Sequence, residues 1–134
     1  MKTKILIFLS IVFISAITLT GCKKYEDGPA FSLNTKKARI TNQWKLTEET
    51  INGAQHTISS EKIDIKKDKS YVITWSGSSE TGNWEFSSDK ESITFTPNGS
   101  SSSDTYKILR LKNNELWLQS TSGSYIFEYH YEKE

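Results

Sequence analysis

The chain reads as an all-β protein, eight antiparallel strands joined in order as an up-and-down β-barrel. Three observations predict this. From Ile40 onward apolar residues recur with a period of two, the mark of strands that bury one face. Connections between these runs are short and turn-rich, with no crossover long enough to join parallel strands. Helix formers are scarce after residue 40 and aromatic residues are plentiful. Closing the sheet on itself removes its exposed edges. A two-sheet sandwich is the competing arrangement.

One short helical turn is expected first, capped by Ser32, Asn34 or Thr35 and running through Ala38. Strand one, "ITNQWKLTEET", sets Trp44 and Leu46 on one face. Strand two, "TISSEKIDI", ends with Ile63 and Ile65, and strand three, "SYVITWS", presents Tyr71, Ile73 and Trp75. "TGNWEFS" follows with Trp84 and Phe86, then "SITFT" with Ile93 and Phe95, "DTYKILRLK", "ELWLQS" with Leu116 and Leu118, and "SYIFEYHYE" with Tyr125, Phe127 and Tyr129.

Neighbouring strands should set their inward residues opposite one another. A turn at Ser122 and Gly123 pairs Leu118 with Phe127 and Leu116 with Tyr129. A turn at Asn113 and Asn114 pairs Leu111 with Leu116 and Leu109 with Leu118. Loops at 78–81 and 88–91 set Trp75 against Trp84, Ile73 against Phe86, Phe86 against Ile93 and Trp84 against Phe95. In strand six, Tyr106 and Ile108 have one parity, Leu109 and Leu111 the other. All four can point inward only across a β-bulge near Ile108 and Leu109, a kink that suits barrel closure. Outside the barrel this register brings Arg110 to Trp117, where a guanidinium can lie on the indole.

Alternate hairpins occupy opposite ends of a barrel. Trp44, Ile65, Tyr71, Phe86, Ile93, Leu116 and Tyr129 should therefore plug the end where the chain enters. The other rim carries small polar loops, "NGAQHT", "GSSET" and "PNGSSSSD", above Trp75, Trp84, Phe95, Tyr106 and Tyr125. An eight-stranded barrel is just wide enough to be filled by side chains or to hold one small ligand. Trp75, Trp84, Tyr106 and Tyr125 are thus candidate ligand-binding residues for a small hydrophobic or aromatic compound, and the same rings would serve equally to fill a solid core.

The N-terminal residues have a different character. Lys2 and Lys4 precede an apolar run from Ile5 to Leu19, a signal-peptide pattern over residues 1–21. Fifteen helical residues reach about 22 Å, short of the roughly 30 Å that a membrane-spanning helix must cover. The run ends at "LTGCKK", which holds Cys22, the one cysteine of the chain. "LTGC" resembles a bacterial lipobox, which implies cleavage before Cys22 and acylation of its sulfur and of the new amino group. Several acyl chains hold firmly where one does not, and a bridge would need a second cysteine. Lys23 to Asn34 then reads as a tether of up to about 40 Å, followed by one domain over 35–134. The tether enters at the plugged end, so the open mouth should face away from the membrane.

"LTGCKKYEDGP", "TKKARITNQWKL", "IDIKKDKSYVITW", "TGNWEF" and "YKILRLKNNELWL" together resemble the lipocalin-like lipoproteins of outer-membrane bacteria of the Bacteroidota type. The resemblance covers nearly all of the chain after Cys22. It implies an anchored, calyx-shaped lipocalin-like barrel in the cell envelope, at the outer membrane, on its periplasmic or its surface face. Asn42 departs from the pattern where a glycine often precedes the first-strand tryptophan, and Lys69 where a glycine often follows the Asp of the second turn. Glu26 and Asp27 loosely resemble a surface-export signal and equally suit a solvated tether.

Composition narrows the function classes. Seventeen Lys plus Arg against 16 Asp plus Glu leave no basic excess to recognise nucleic acid. An enzyme is not expected. His56 and His130 are the only histidines, no serine stands in a nucleophile elbow, and adjacent carboxylates such as Glu48 and Glu49 point to opposite faces of a strand. No metal-ligand spacing or phosphate loop appears, so no cofactor is expected. The expected partners are the membrane, through Cys22, and a small hydrophobic ligand. The alternative is a cell-envelope interaction or inhibitor module with a filled barrel, using Trp117 and the serine-rich loop 97–104.

Overall fold

The structure is a computed structural model that describes residues 33–58 and 60–134. The expected signal peptide, Cys22 and most of the expected tether lie outside the described residues. In chain order the elements are α1 (Lys36–Ile40), β1 (Gln43–Ile51), β2 (Ala54–His56), β3 (Glu61–Ile65), β4 (Ser70–Trp75), β5 (Ser78–Phe86), β6 (Ser92–Pro97), β7 (Asp104–Leu111), β8 (Glu115–Ser122) and β9 (Tyr125–Lys133).

All strand pairs are antiparallel, and β9 returns to β1 from Trp44–Lys133 through Ile51–Phe127. Eight strands therefore close the barrel, as expected, and β2 is a short extra strand. It folds back on the end of β1 across Asn52 and Gly53. Both turn residues have positive φ, 51° and 79°, which suits the twist of a two-residue hairpin. The seam between β1 and β3 is paired only at Gln43–Asp64, Trp44–Ile63 and Lys45–Lys62. Farther along, β1 has β2 as its neighbour on that side.

Thr35 caps α1, its hydroxyl accepting from the Ala38 N–H at 3.1 Å. The helix leads into β1 through a buried bond from Trp44 Nε1 to the Ile40 carbonyl, 2.8 Å. Ile40 and Trp44 are fully buried with Ile65, Tyr71, Ile93, Leu111 and Leu116. This is the expected plug with two differences: Tyr131 is buried where Tyr129 was expected, and Phe86 is only partly buried against it. The β8–β9 turn is Gly123–Ser124, one residue later than predicted, so Leu116 faces Tyr131, Leu118 faces Tyr129 and Phe127 faces Ser120. A shift of one turn residue moves every partner by two positions and keeps the inward face.

The larger correction concerns β4 and β5. Trp75 pairs with Ser78 across Ser76 and Gly77, both of positive φ, 40° and 84°. The expected loop at 78–81 is strand instead, so Ile73 faces Glu80 and Tyr71 faces Gly82. Trp84 consequently lies at the entry end, where its indole N–H donates to the Lys66 carbonyl at 2.9 Å. The β5–β6 register is as expected, Trp84 with Phe95 and Phe86 with Ile93.

In β7 the register shifts between Ile108 and Arg110, the predicted bulge. Leu111 faces Leu116 as expected, whereas Leu118 faces Ile108 and not Leu109, because Leu109 is the extra residue. Ile108 and Leu109 are both buried, which an unbroken strand would not permit. A second shift between Leu46 and Glu48 turns Glu49 and Ile51 to the side of inward-facing Tyr129 and Phe127. Two kinked strands are what closing a twisted sheet requires.

Candidate ligand site

The inner positions change chemistry along the barrel axis. The entry half is apolar and closed. Beyond the layer of Leu46, Ile63 and Tyr131, the strand parity carries Glu49, Glu61, Glu80 and Asp104 inward with Tyr106 and Tyr129. Among the described residues, no lysine or arginine of a strand occupies an inward position in this open half, and none lies in the rim segments 52–58, 76–77, 98–103 and 123–124.

Within it lies a largely enclosed cavity of about 120 Å³, lined by Glu61, Phe95, Tyr106, Leu118, Tyr129 and Tyr131 with Ile63 and Ile73. Its rings hold one another edge to face. Phe95 lies 4.9 Å from Tyr71 and 6.0 Å from Tyr106, and Tyr106 lies 5.9 Å from Tyr129, centroid to centroid. Such contacts add about 0.5–1.5 kcal/mol each beyond area burial and fix the ring orientations.

Two phenols anchor two of the carboxylates. Tyr131 donates to Glu61 Oε1 at 2.7 Å and Tyr71 donates to Glu80 Oε1 at 2.7 Å. Burial pushes the Glu61 carboxyl above the usual carboxylate range, and nearby Glu49 pushes the same way while the Tyr131 hydroxyl opposes both. Burial also raises the phenols of Tyr71, Tyr106, Tyr129 and Tyr131. Asp104, Glu61 and Glu80 add to the shift at Tyr106. The phenols are therefore neutral donors in neutral solution. Among the described residues no group of three or more His, Asp or Glu is arranged to hold a metal ion.

Of the ring residues named from sequence, Tyr106 lines this cavity. Trp84 does not lie beneath the rim, because the two-residue turn at Ser76–Gly77 moves it to the far end. Trp75 is half-buried at the last position of β4. Tyr125 stands on the rim, 56% exposed, with its ring 6.4 Å from Phe127. Sequence reasoning missed Glu61, Glu80 and Tyr131. Glu61 has the parity of Ile63 and Ile65, and Glu80 that of Trp84 and Phe86, so the period of two held the signal.

On the outer wall, Arg110 lies over Trp117 at 3.6 Å, as the register predicted. His130 stacks on the same indole, 4.0 Å away and 12° from parallel. Its Nδ1 is 3.0 Å from Glu48 Oε2, and Arg110 Nη1 is 2.6 Å from Glu115 Oε2. The Trp117 ring, a candidate partner contact from sequence, is occupied from both sides within the chain.

The geometry is that of a lipocalin-like barrel: a cup of antiparallel strands, closed and apolar at one end and hollow beneath the other. No family model matches the chain, and neither does a curated protein. A lipocalin-like protein from Bacteroides uniformis ATCC 8492 superposes with a TM-score of 0.58 at 14% identity, over 72% of this chain and 99% of that one. At that identity the likeness speaks for the fold.

Proposed function

We propose that this chain is a membrane-tethered, non-catalytic lipocalin-like binding protein whose lumen takes one small hydrophobic or aromatic guest. The enclosed cavity between Glu61, Tyr106, Tyr129 and Tyr131 carries this reading. Its 120 Å³ is close to the roughly 150 Å³ of an engineered apolar cavity that admits benzene. The guest portion held inside is therefore about one ring, with any remainder in the rim beside Trp75 and Tyr125. Titrating small aromatic and short acyl compounds against tryptophan fluorescence, with native mass spectrometry of the gently extracted protein, tests the pocket. Silence across a broad panel together with an unladen native mass would sink it.

The tether half of the proposal rests on "LTGCKK" and on the chain entering the barrel at its closed end, through α1. Acyl chains on Cys22 would hold that end toward the membrane of the cell envelope and turn the mouth away from it. Cys22→Ser should move the protein from the membrane fraction to the soluble fraction. Retention of that variant on the membrane would overturn the lipid anchor.

A further inference from the structure

We infer that the guest of the lumen is an organic cation, a small amine carried on an aromatic or compact apolar body. This rests on the reading of the lumen as a binding site and assigns the charge of what enters it.

The cavity wall supplies three phenol rings and one phenylalanine, and the carboxylate of Glu61 is part of that wall. Glu49, Glu80 and Asp104 sit at inward positions of β1, β5 and β7, on other sides of the same opening. Asp104, Glu61 and Glu80 all act electrostatically on the Tyr106 phenol, and Glu49, Glu61 and Asp104 on Tyr129. Four acids thus surround two aromatic rings; among the described residues no lysine or arginine of the open half or its rim neutralises them, and one imidazole, His56 on the rim, lies 3.6 Å from Glu49.

A carboxylate guest, such as a fatty acid, would bring a fifth negative charge into a space with no lysine or arginine to receive it, and its desolvation would go uncompensated beside Glu61, Glu80 and Asp104. A neutral guest would gain from the rings and nothing from the acids. An ammonium group gains from both: a charge-assisted hydrogen bond to a carboxylate and the negative faces of the aromatic rings. The carboxylates come from four different strands, and no three of them are arranged for a metal ion. That spread suits a charge carried on a bulky group.

Three probes with one phenyl ring and different charge decide the matter: phenethylamine, 2-phenylethanol and 3-phenylpropanoate. Each is titrated calorimetrically against the full chain in lipid nanodiscs, with empty nanodiscs as the blank. The amine should bind about tenfold or more tighter than the alcohol, and the acid should not bind detectably. Glu61→Gln, which still accepts the Tyr131 hydroxyl, should weaken the amine about tenfold and leave the alcohol unchanged. Asp104→Asn, at an exposed rim position where folding is not at stake, should weaken the amine by a smaller factor. Equal binding of amine and alcohol, or a preference for the acid, overturns the cation assignment while the pocket stands. Silence of all three overturns the pocket, and the assignment with it.

Discussion

Tyr71 stands against Gly82, its register partner across β4 and β5, and a Cβ built on that glycine would meet the ring at 2.7 Å. The same Cβ would also press on the Thr96 carbonyl and come within 2.9 Å of Pro97 Cα, both backbone atoms that cannot step aside. Gly82→Ala should therefore destabilise the barrel by about 1–3 kcal/mol, the usual cost of overpacking. Urea unfolding gives the value, and an unchanged midpoint would contradict the close approach.

Lys69 is held at φ 72°, a conformation that costs an L-residue about 1–2 kcal/mol and a glycine nothing. Its carbonyl accepts from the Trp84 N–H at 2.8 Å, so the turn is fixed by pairing even though its residue is strained. Lys69→Gly should raise stability by about 1 kcal/mol, part of the relief being lost to the greater freedom of glycine in the unfolded chain. A fall in the thermal midpoint would contradict the assignment.

The Arg110–Trp117 contact is partly exposed, where such pairs are worth about 0.5–1 kcal/mol. A double-mutant cycle of Arg110→Ala and Trp117→Ala, read by chemical denaturation, should return a coupling of that size. Additive effects would mean that the two side chains only lie close.

The Glu61 carboxyl is raised in the folded protein, chiefly by burial, so the folded state holds its proton more tightly than the unfolded chain does. The sign follows from linkage: this group's contribution to stability is fully present below its ordinary value of 4.5 and is lost as pH rises through the raised folded value. Glu49 reinforces the effect and the Tyr131 hydroxyl moderates it. Unfolding midpoints followed upward from pH 4.5 should fall for the native chain and fall less for Glu61→Gln. Parallel curves for the two proteins would remove Glu61 as the cause.

Most of the barrel was legible because a period of two survives errors of register. The predicted turns at Ser122–Gly123 and at 78–81 were displaced, yet each displacement moved partners by an even number, and the inward face stayed the inward face. The bulge in β7 was legible because a parity conflict among apolar residues has few other resolutions. The depth of a residue along the axis was not legible in the same way, since it depends on turn length. That is why Trp84 was expected beneath the mouth and lies at the opposite end. The hairpin signal that corrects this is Ser76–Gly77, a pair suited to a two-residue turn, just as Asn52–Gly53 marks the extra hairpin of β1 and β2. The lumen acids are invisible to an apolar period of two, since Glu61 and Glu80 follow the same alternation without being apolar.

The ends of the described barrel are neighbours in space. The Glu134 N–H donates to the Gln43 carbonyl at 3.0 Å, Lys133 faces Trp44, and the Lys62 ammonium pairs with the Glu134 carboxylate. Strand order around the wall is therefore cyclic, and the point at which the chain is cut is incidental to it. A circular permutant that joins residue 134 to the start of α1 and opens within the serine-rich segment 98–103, whose exposed tip contributes no strand, would contain every pairing of the original wall. It would also carry its new ends at the mouth, the place where a fused reporter would sit closest to an arriving guest.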